Sequence, residues 1–119
     1  MKRLILAFLL TISCGYSPVA SSGDPREQHI LDETTRFAGM LRVSVRGILT
    51  DDVYTVRCTD GTMCPAAGWY KDGVAYYWRP NLLERDLAYG SALAAHECCH
   101  ALHHDEAGAD VCAKKLLAQ

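Results

Sequence analysis

His96-Glu97-Cys98-Cys99-His100, with Glu106-Ala107-Gly108-Ala109-Asp110 beginning six residues after His100, is the stretch whose reading decides the fold. Two histidines four apart on a helix differ by about 40° around the axis and one turn along it, so both imidazoles can face one ion. Catalytic zinc takes three protein ligands and keeps a fourth position open. Glu97, between the histidines, need not bind metal; its chemistry is that of a general base toward water acidified by the zinc. The third ligand has to come from outside this turn. Glu106 suits it if a tight helix–helix turn folds the next helix back beside the histidines. His104 and Asp105 shape that turn and stay open as alternatives. Asp110, one helical turn beyond Glu106, can accept a hydrogen bond from a ligand histidine and fix its tautomer. His103 lies on the same stripe but too far along the axis to share the ion. It is expected to end the helix, to stabilise an oxyanion or simply to be solvated at a helix C-terminus, where a cation is favoured.

Upstream, Asp24-Pro25-Arg26-Glu27 carries helix-start signals. Asp24 can cap, Pro25 suits the first helical position, and Glu27 can reach back to the cap. Ile30, Leu31, Thr34, Phe37, Ala38 and Leu41 keep a helical apolar stripe, which predicts a helix ending near Leu41. Val43 and Val45 then alternate with Arg42, Ser44 and Arg46, the pattern of a half-buried strand, and Val53–Cys58 reads as a second. Trp69-Tyr70 and Val74–Trp78 flank Lys71-Asp72-Gly73, where Asp-Gly is a strong hairpin signal. Together these predict a small, mainly antiparallel sheet of three or four strands. Trp69, Tyr76, Tyr77 and Trp78 suit either a ligand platform or cross-strand packing, with packing the commoner use.

Arg79-Pro80-Asn81 breaks the sheet. A long helix is expected to begin between Asn81 and Asp86 and run to about His103, with Leu83, Leu87, Leu93 and Ala94 on its buried side. A last helix from about Asp105, with Val111, Cys112, Leu116 and Leu117 as core candidates, closes the chain. The fold class is α+β: an N-terminal helix, a small mainly antiparallel sheet, an active-site helix and a C-terminal helix bearing the glutamate, an order that resembles a minimal zincin-like domain.

At the other end, Met1-Lys2-Arg3 followed by the apolar run Leu4–Ile12 has the form of a secretory signal, too short to span a bilayer as a mature helix. Thr11-Ile12-Ser13-Cys14-Gly15 resembles a bacterial lipobox, with Cys14 the acylated residue; ordinary cleavage near Ala20 or Ser22 is the other reading. The Ser-, Gly- and Pro-rich segment from Gly15 to Gly23 is expected to be a tether. The division is thus 1–22 for signal and tether and 23–119 for the metallopeptidase domain. The expected location is outside the cytoplasm, either lipid-anchored in the cell envelope facing the periplasm or secreted.

The chain has 119 residues, 12 basic and 14 acidic, for a net charge of −2. Loss of Lys2 and Arg3 leaves 10 basic residues, a balance of −4, and no basic cluster, which argues against nucleic-acid binding. Membrane association is expected only through the lipid anchor. Six cysteines in so short a chain fit an oxidising compartment. Cys58 and Cys64 flank a turn-rich segment and can staple a hairpin; Cys112 can bridge to Cys98 or Cys99, leaving one buried thiol. Cysteine-ligated zinc and a vicinal-thiol redox site are the rival uses.

With these residues in place, the chain resembles the gluzincins, zinc peptidases whose third ligand is a glutamate. Within them it is similar to the HtpX-like and ImmA/IrrE-type peptidases, which carry H-E-x-x-H and then Glu-x-x-Ala-Asp or Ala-Asn at the head of the next helix. His96, Glu97, His100, Glu106, Ala109 and Asp110 match residue by residue. Val74–Trp78, the break after it and the long helix also resemble those families' edge strand and active-site helix, so the likeness spans roughly 74–117. There are departures. The interval from His100 to Glu106 is shorter than in most relatives, Cys98-Cys99 replaces an apolar-small pair, and the larger substrate-binding portions are missing, as in the compact minigluzincins. The short interval is also similar to that of metzincins, whose glycine position is His103 here. The resemblance implies Zn2+ as cofactor, a peptide or protein substrate paired along Val74–Trp78, and hydrolysis with Glu97 as base. The alternative is a catalytically inactive zinc-binding envelope lipoprotein acting as an interaction module, since so small a domain leaves little room for a cleft.

Overall fold

Asp24 begins the first helix as expected. In a computed structural model, which describes residues 16–119, its carboxylate accepts from the Arg26 amide at the head of α1 (Pro25–Leu41). Ile30, Thr34, Phe37 and Ala38 are buried along this helix, and Leu31 and Leu41 pack at the margin of the core. Glu27 does not close a capping box. Its carboxylate is buried and accepts from the Ser21 hydroxyl and from the amide and hydroxyl of Ser22. Arg42 ends α1 in the left-handed region, at φ 57°.

The strand after α1 forms later than the alternation suggested. β1 is Arg46–Thr50, while Val43 and Val45 pack against the core from the connection before it. β2 (Thr55–Arg57) and β3 (Met63–Pro65) form a separate antiparallel hairpin stapled by Cys58–Cys64. β4 (Gly68–Lys71) and β5 (Val74–Trp78) form the expected Asp-Gly hairpin. Its two turn residues, Asp72 and Gly73, both have positive φ, 51° and 83°, as a two-residue hairpin of this hand requires.

The main sheet has the order β1-β5-β4, with β1 parallel to β5 and β4 antiparallel to it. Counting the separate β2–β3 hairpin, two of the three ladders among the described residues are antiparallel. β5 is central, bonded on both sides, and cannot be the edge strand to which a substrate adds. Among the described residues β1 and β4 are the two edges; β1 receives the Val19 amide at Leu49, whereas β4 pairs only with β5 and borders Glu97 through Gly68.

Alternation along β5 sends Ala75 and Tyr77 to the helical side, where Tyr77 is fully buried and its hydroxyl lies 2.6 Å from that of Thr34. Gly47 lets β1 lie close under α1; a Cβ there would come within 3.1 Å of Leu31 and 3.3 Å of Tyr77. The opposite face carries Trp69 and Tyr76, neighbours in register and stacked at 5.5 Å. Tyr54 stacks on Trp69 at 5.0 Å, and Tyr16 meets Trp69 edge-on at 4.8 Å. These contacts are the packing use of the aromatic cluster.

After β5 a short helix, α2 (Arg79–Leu82), precedes α3 (Leu87–His100), which is capped by Asp86. Leu82 rather than Leu83 is fully buried, and Leu87 is exposed. The buried face of α3 is built from small residues, Gly90, Ala94, Ala95 and Cys98, and so can pack closely on α1. The helix stops at His100, three residues short of the expected end, and His103 sits in the left-handed region at φ 67° in the turn that follows. α4 (Glu106–Leu117) is capped by Asp105 and buries Ala109, Ala113 and Leu116, while Val111 and Leu117 are exposed. Cys99–Cys112 ties α3 to α4.

The segment expected to be a tether is packed instead. Val19 donates its amide to the Leu49 carbonyl and packs against the core, and the Ser17 amide donates to Asp52. Cys14 and the apolar run before it lie outside the described residues.

Candidate metal centre

The last turn of α3 and the first of α4 meet across the short connection at 101–105. His96 and His100 point from α3 toward the same space, with their Nε2 atoms 3.1 Å apart. Glu106 closes the group from α4: its Oε2 is 3.2 Å from His96 Nε2, and its Oε1 is 2.7 Å from His100 Nε2. Donor atoms bound at ~2.0–2.1 Å around tetrahedral zinc lie about 3.3 Å from one another, so these separations approximate three corners of one coordination sphere.

The protons make the same point. His96 Nδ1 lies 2.9 Å from Asp110 Oδ1, and His100 Nδ1 lies 2.9 Å from the His104 carbonyl oxygen. A carboxylate and a carbonyl only accept, so both Nδ1 atoms donate, and in the neutral rings both Nε2 atoms present lone pairs. Two lone pairs and a carboxylate then face one another at about hydrogen-bond distance. That arrangement is repulsive unless a positive charge, a metal ion or an added proton, sits among them. The residues present fit a divalent metal, and this is the only such group of ligands among the described residues.

His104 takes part through its backbone, not its ring, and Asp105 spends its carboxylate on the Gly108 amide. His103 is exposed beyond the end of α3. The cysteines stay out of the group: Cys99 is in a disulfide, and Cys98 is buried against the Thr34 carbonyl, where burial first and the charge of Glu97 second push its thiol up to about 12. A redox pair at Cys98-Cys99 is thereby removed, and among the described residues no cysteine-ligated site replaces it.

Exposure is uneven across the centre. The two imidazoles are 17% exposed and the Glu106 side chain 80%, so the group opens to solvent on its α4 side. Glu97, by contrast, is only 3% exposed, and its Oε1 has no protein partner. Burial, reinforced by the nearby Glu106 charge and opposed by His100, pushes its carboxyl up to about 7.

Gly68, which sequence reasoning passed over, explains how β4 can run beside Glu97. A Cβ there would meet the Tyr76 carbonyl at 3.1 Å, Leu93 at 3.2 Å and Glu97 Oε2 at 3.4 Å. A glycine immediately before the expected Trp69-Tyr70 strand was the available signal. The centre opens into a cleft of about 1000 Å³ between β4, the β2–β3 hairpin and helices α3 and α4. The small size of the chain therefore does not exclude a cleft. Tyr54 and Val56 wall it on the hairpin side, Leu93 and Leu117 on the helical side.

Compared with protein-family models, with curated proteins and with solved structures, the chain matches none.

Proposed function

We propose that the chain is a minimal zinc-dependent peptidase, with His96, His100 and Glu106 holding Zn2+, Glu97 as general base, and Asp110 fixing the His96 tautomer. The observation that carries the reading is the convergence of two tautomer-fixed Nε2 lone pairs and one carboxylate beside a buried glutamate at the floor of a cleft. Bound there, zinc would supply a Lewis acid that acidifies water and polarises a carbonyl.

The chain's own residues would do the rest. An extended peptide can add to the free edge of β4, taking its backbone hydrogen bonds from Gly68–Lys71 while side chains alternate into the cleft and away from it. Glu97 Oε1, free of any protein partner, accepts the proton of the attacking water and returns it to the leaving amine. The apolar lining from Tyr54, Val56 and Leu93 favours apolar side chains in the substrate.

The test is Glu97→Gln. It should keep its zinc and lose hydrolysis of a diverse peptide library by about 10²-fold or more. Wild-type protein that holds zinc and cleaves nothing would instead favour a non-catalytic zinc-binding interaction module.

A further inference from the structure

Tyr16 and the residues after it do not hang from the fold. The Tyr16 ring meets those of Trp69, Tyr76 and Tyr54, with centroids 4.8, 5.6 and 6.0 Å away. Ser17 and Val19 bond to Asp52 and to β1, Arg79 reaches the Ala20 carbonyl, and Ser21 and Ser22 close on the buried Glu27. We propose that Tyr16–Gly23 is a strap that seats the mouth of the cleft on a lipid bilayer, so that the polypeptides reached by the site are those lying at the membrane surface.

The geometry carries this in three steps. First, Cys14 stands two residues before Tyr16, after the apolar run Leu4–Ile12. From a lipid on Cys14 at most ~7 Å of extended chain reaches Tyr16, and from the end of the apolar run at Ile12 at most ~14 Å. A free tether over 15–23 would have allowed an end-to-end excursion of roughly 15–18 Å in any direction; the strap removes that slack.

Second, the strap ends at the cleft. Tyr54 touches Tyr16 and also lines the mouth, and Asp52, which holds the Ser17 amide, precedes it by two residues. Third, the surface around that point is apolar. Val53, Tyr54, Val56 and Met63 are all exposed on or beside the stapled β2–β3 hairpin; of the charges around them, Asp51 is paired with Arg79 and Asp52 holds the Ser17 amide, leaving Arg57 and Asp60. Exposed aromatic and aliphatic side chains beside a hydrophobic anchor suit the headgroup boundary of a bilayer, and stable attachment to a membrane generally needs two such signals. Cleavage near Ala20 or Ser22 would remove Tyr16 from its aromatic cluster and Val19 from β1, so the packing favours a mature chain that starts before Tyr16. The substrate class rests on the peptidase reading; the seating does not.

The test uses the full-length chain purified from producing cells and reconstituted into phosphatidylethanolamine–phosphatidylglycerol vesicles with brominated acyl chains. Val53→Trp places a reporter beside the strap. Met40→Trp places one at the C-terminal end of α1, the end of the sheet from which β1 runs toward the hairpin. After subtraction of the wild-type signal, the Val53→Trp emission should be quenched at least twofold more than that of Met40→Trp, and the mass of the processed chain should retain Tyr16. Equal quenching at the two positions, or a processed chain beginning after Tyr16, would overturn the proposal. Zinc content and cleavage of a soluble peptide by the same preparations report on the peptidase reading separately.

Discussion

His96 Nδ1 lies 2.9 Å from Asp110 Oδ1, the imidazole N–H of one helix donating to a carboxylate on the next. This contact turns the His96 Nε2 lone pair toward His100 and Glu106, so Asp110 would act on a bound metal through His96. Asp110→Ala should weaken zinc binding about 10- to 100-fold, the usual cost of losing such an orienting partner. Competition with a chelator of known affinity measures it. Because Asp110 is 66% exposed, the folded state itself should be little affected.

The Cys99–Cys112 disulfide joins the residue before His100 to the residue two beyond Asp110. It holds the helix carrying Glu106 against the helix carrying the histidines. The double variant Cys99→Ala/Cys112→Ala should lower zinc affinity by about tenfold, or ~1.4 kcal/mol, besides losing ~2–4 kcal/mol of stability. The hairpin disulfide Cys58–Cys64 lies outside the ligand helices, so Cys58→Ala/Cys64→Ala should leave zinc affinity unchanged. Isothermal titration of both variants separates the two effects.

Glu27 is fully buried and accepts three hydrogen bonds from Ser21 and Ser22, with Arg79 Nε 4.0 Å away. Glu27→Ala would leave the Ser22 amide without its acceptor and Arg79 with less compensating charge. The expected loss is about 1–3 kcal/mol in urea unfolding. Faster proteolysis between Tyr16 and Gly23 should accompany it, because the strap loses its main attachment to α1.

Much of this architecture can be read from short-range chemistry. The Asp24 cap, the stripe from Ile30 to Leu41, the Asp-Gly turn at 72–73 and the Asp105–Glu106 helix start are local signals, and the structure has each element where its signal lies. The fold class follows from them. The ligand cluster was legible for the same reason, since two histidines one turn apart and a glutamate at the next helix start need only one tight turn to meet. What escaped depends on partners distant in sequence. The alternation at Val43 and Val45 mimics a strand, but pairing is decided by register with Val74–Trp78, which places β1 at Arg46–Thr50. That parallel pairing also makes β5 central and leaves β4 at an edge beside the cleft, an outcome no local pattern encodes. The Ser- and Pro-rich composition of 15–23 reads as tether, yet Tyr16 and Val19 find apolar partners on the sheet and Ser21 and Ser22 find a buried carboxylate on α1.

The central claim, that His96, His100 and Glu106 together hold zinc, is tested most directly by the metal content of the purified wild type beside that of Glu106→Ala. The account predicts about one zinc per chain in the wild type and a large loss in the variant, because removing one of three protein ligands from a catalytic-type site leaves only two. A wild-type protein without zinc, or a Glu106→Ala protein with its zinc undiminished, would contradict it.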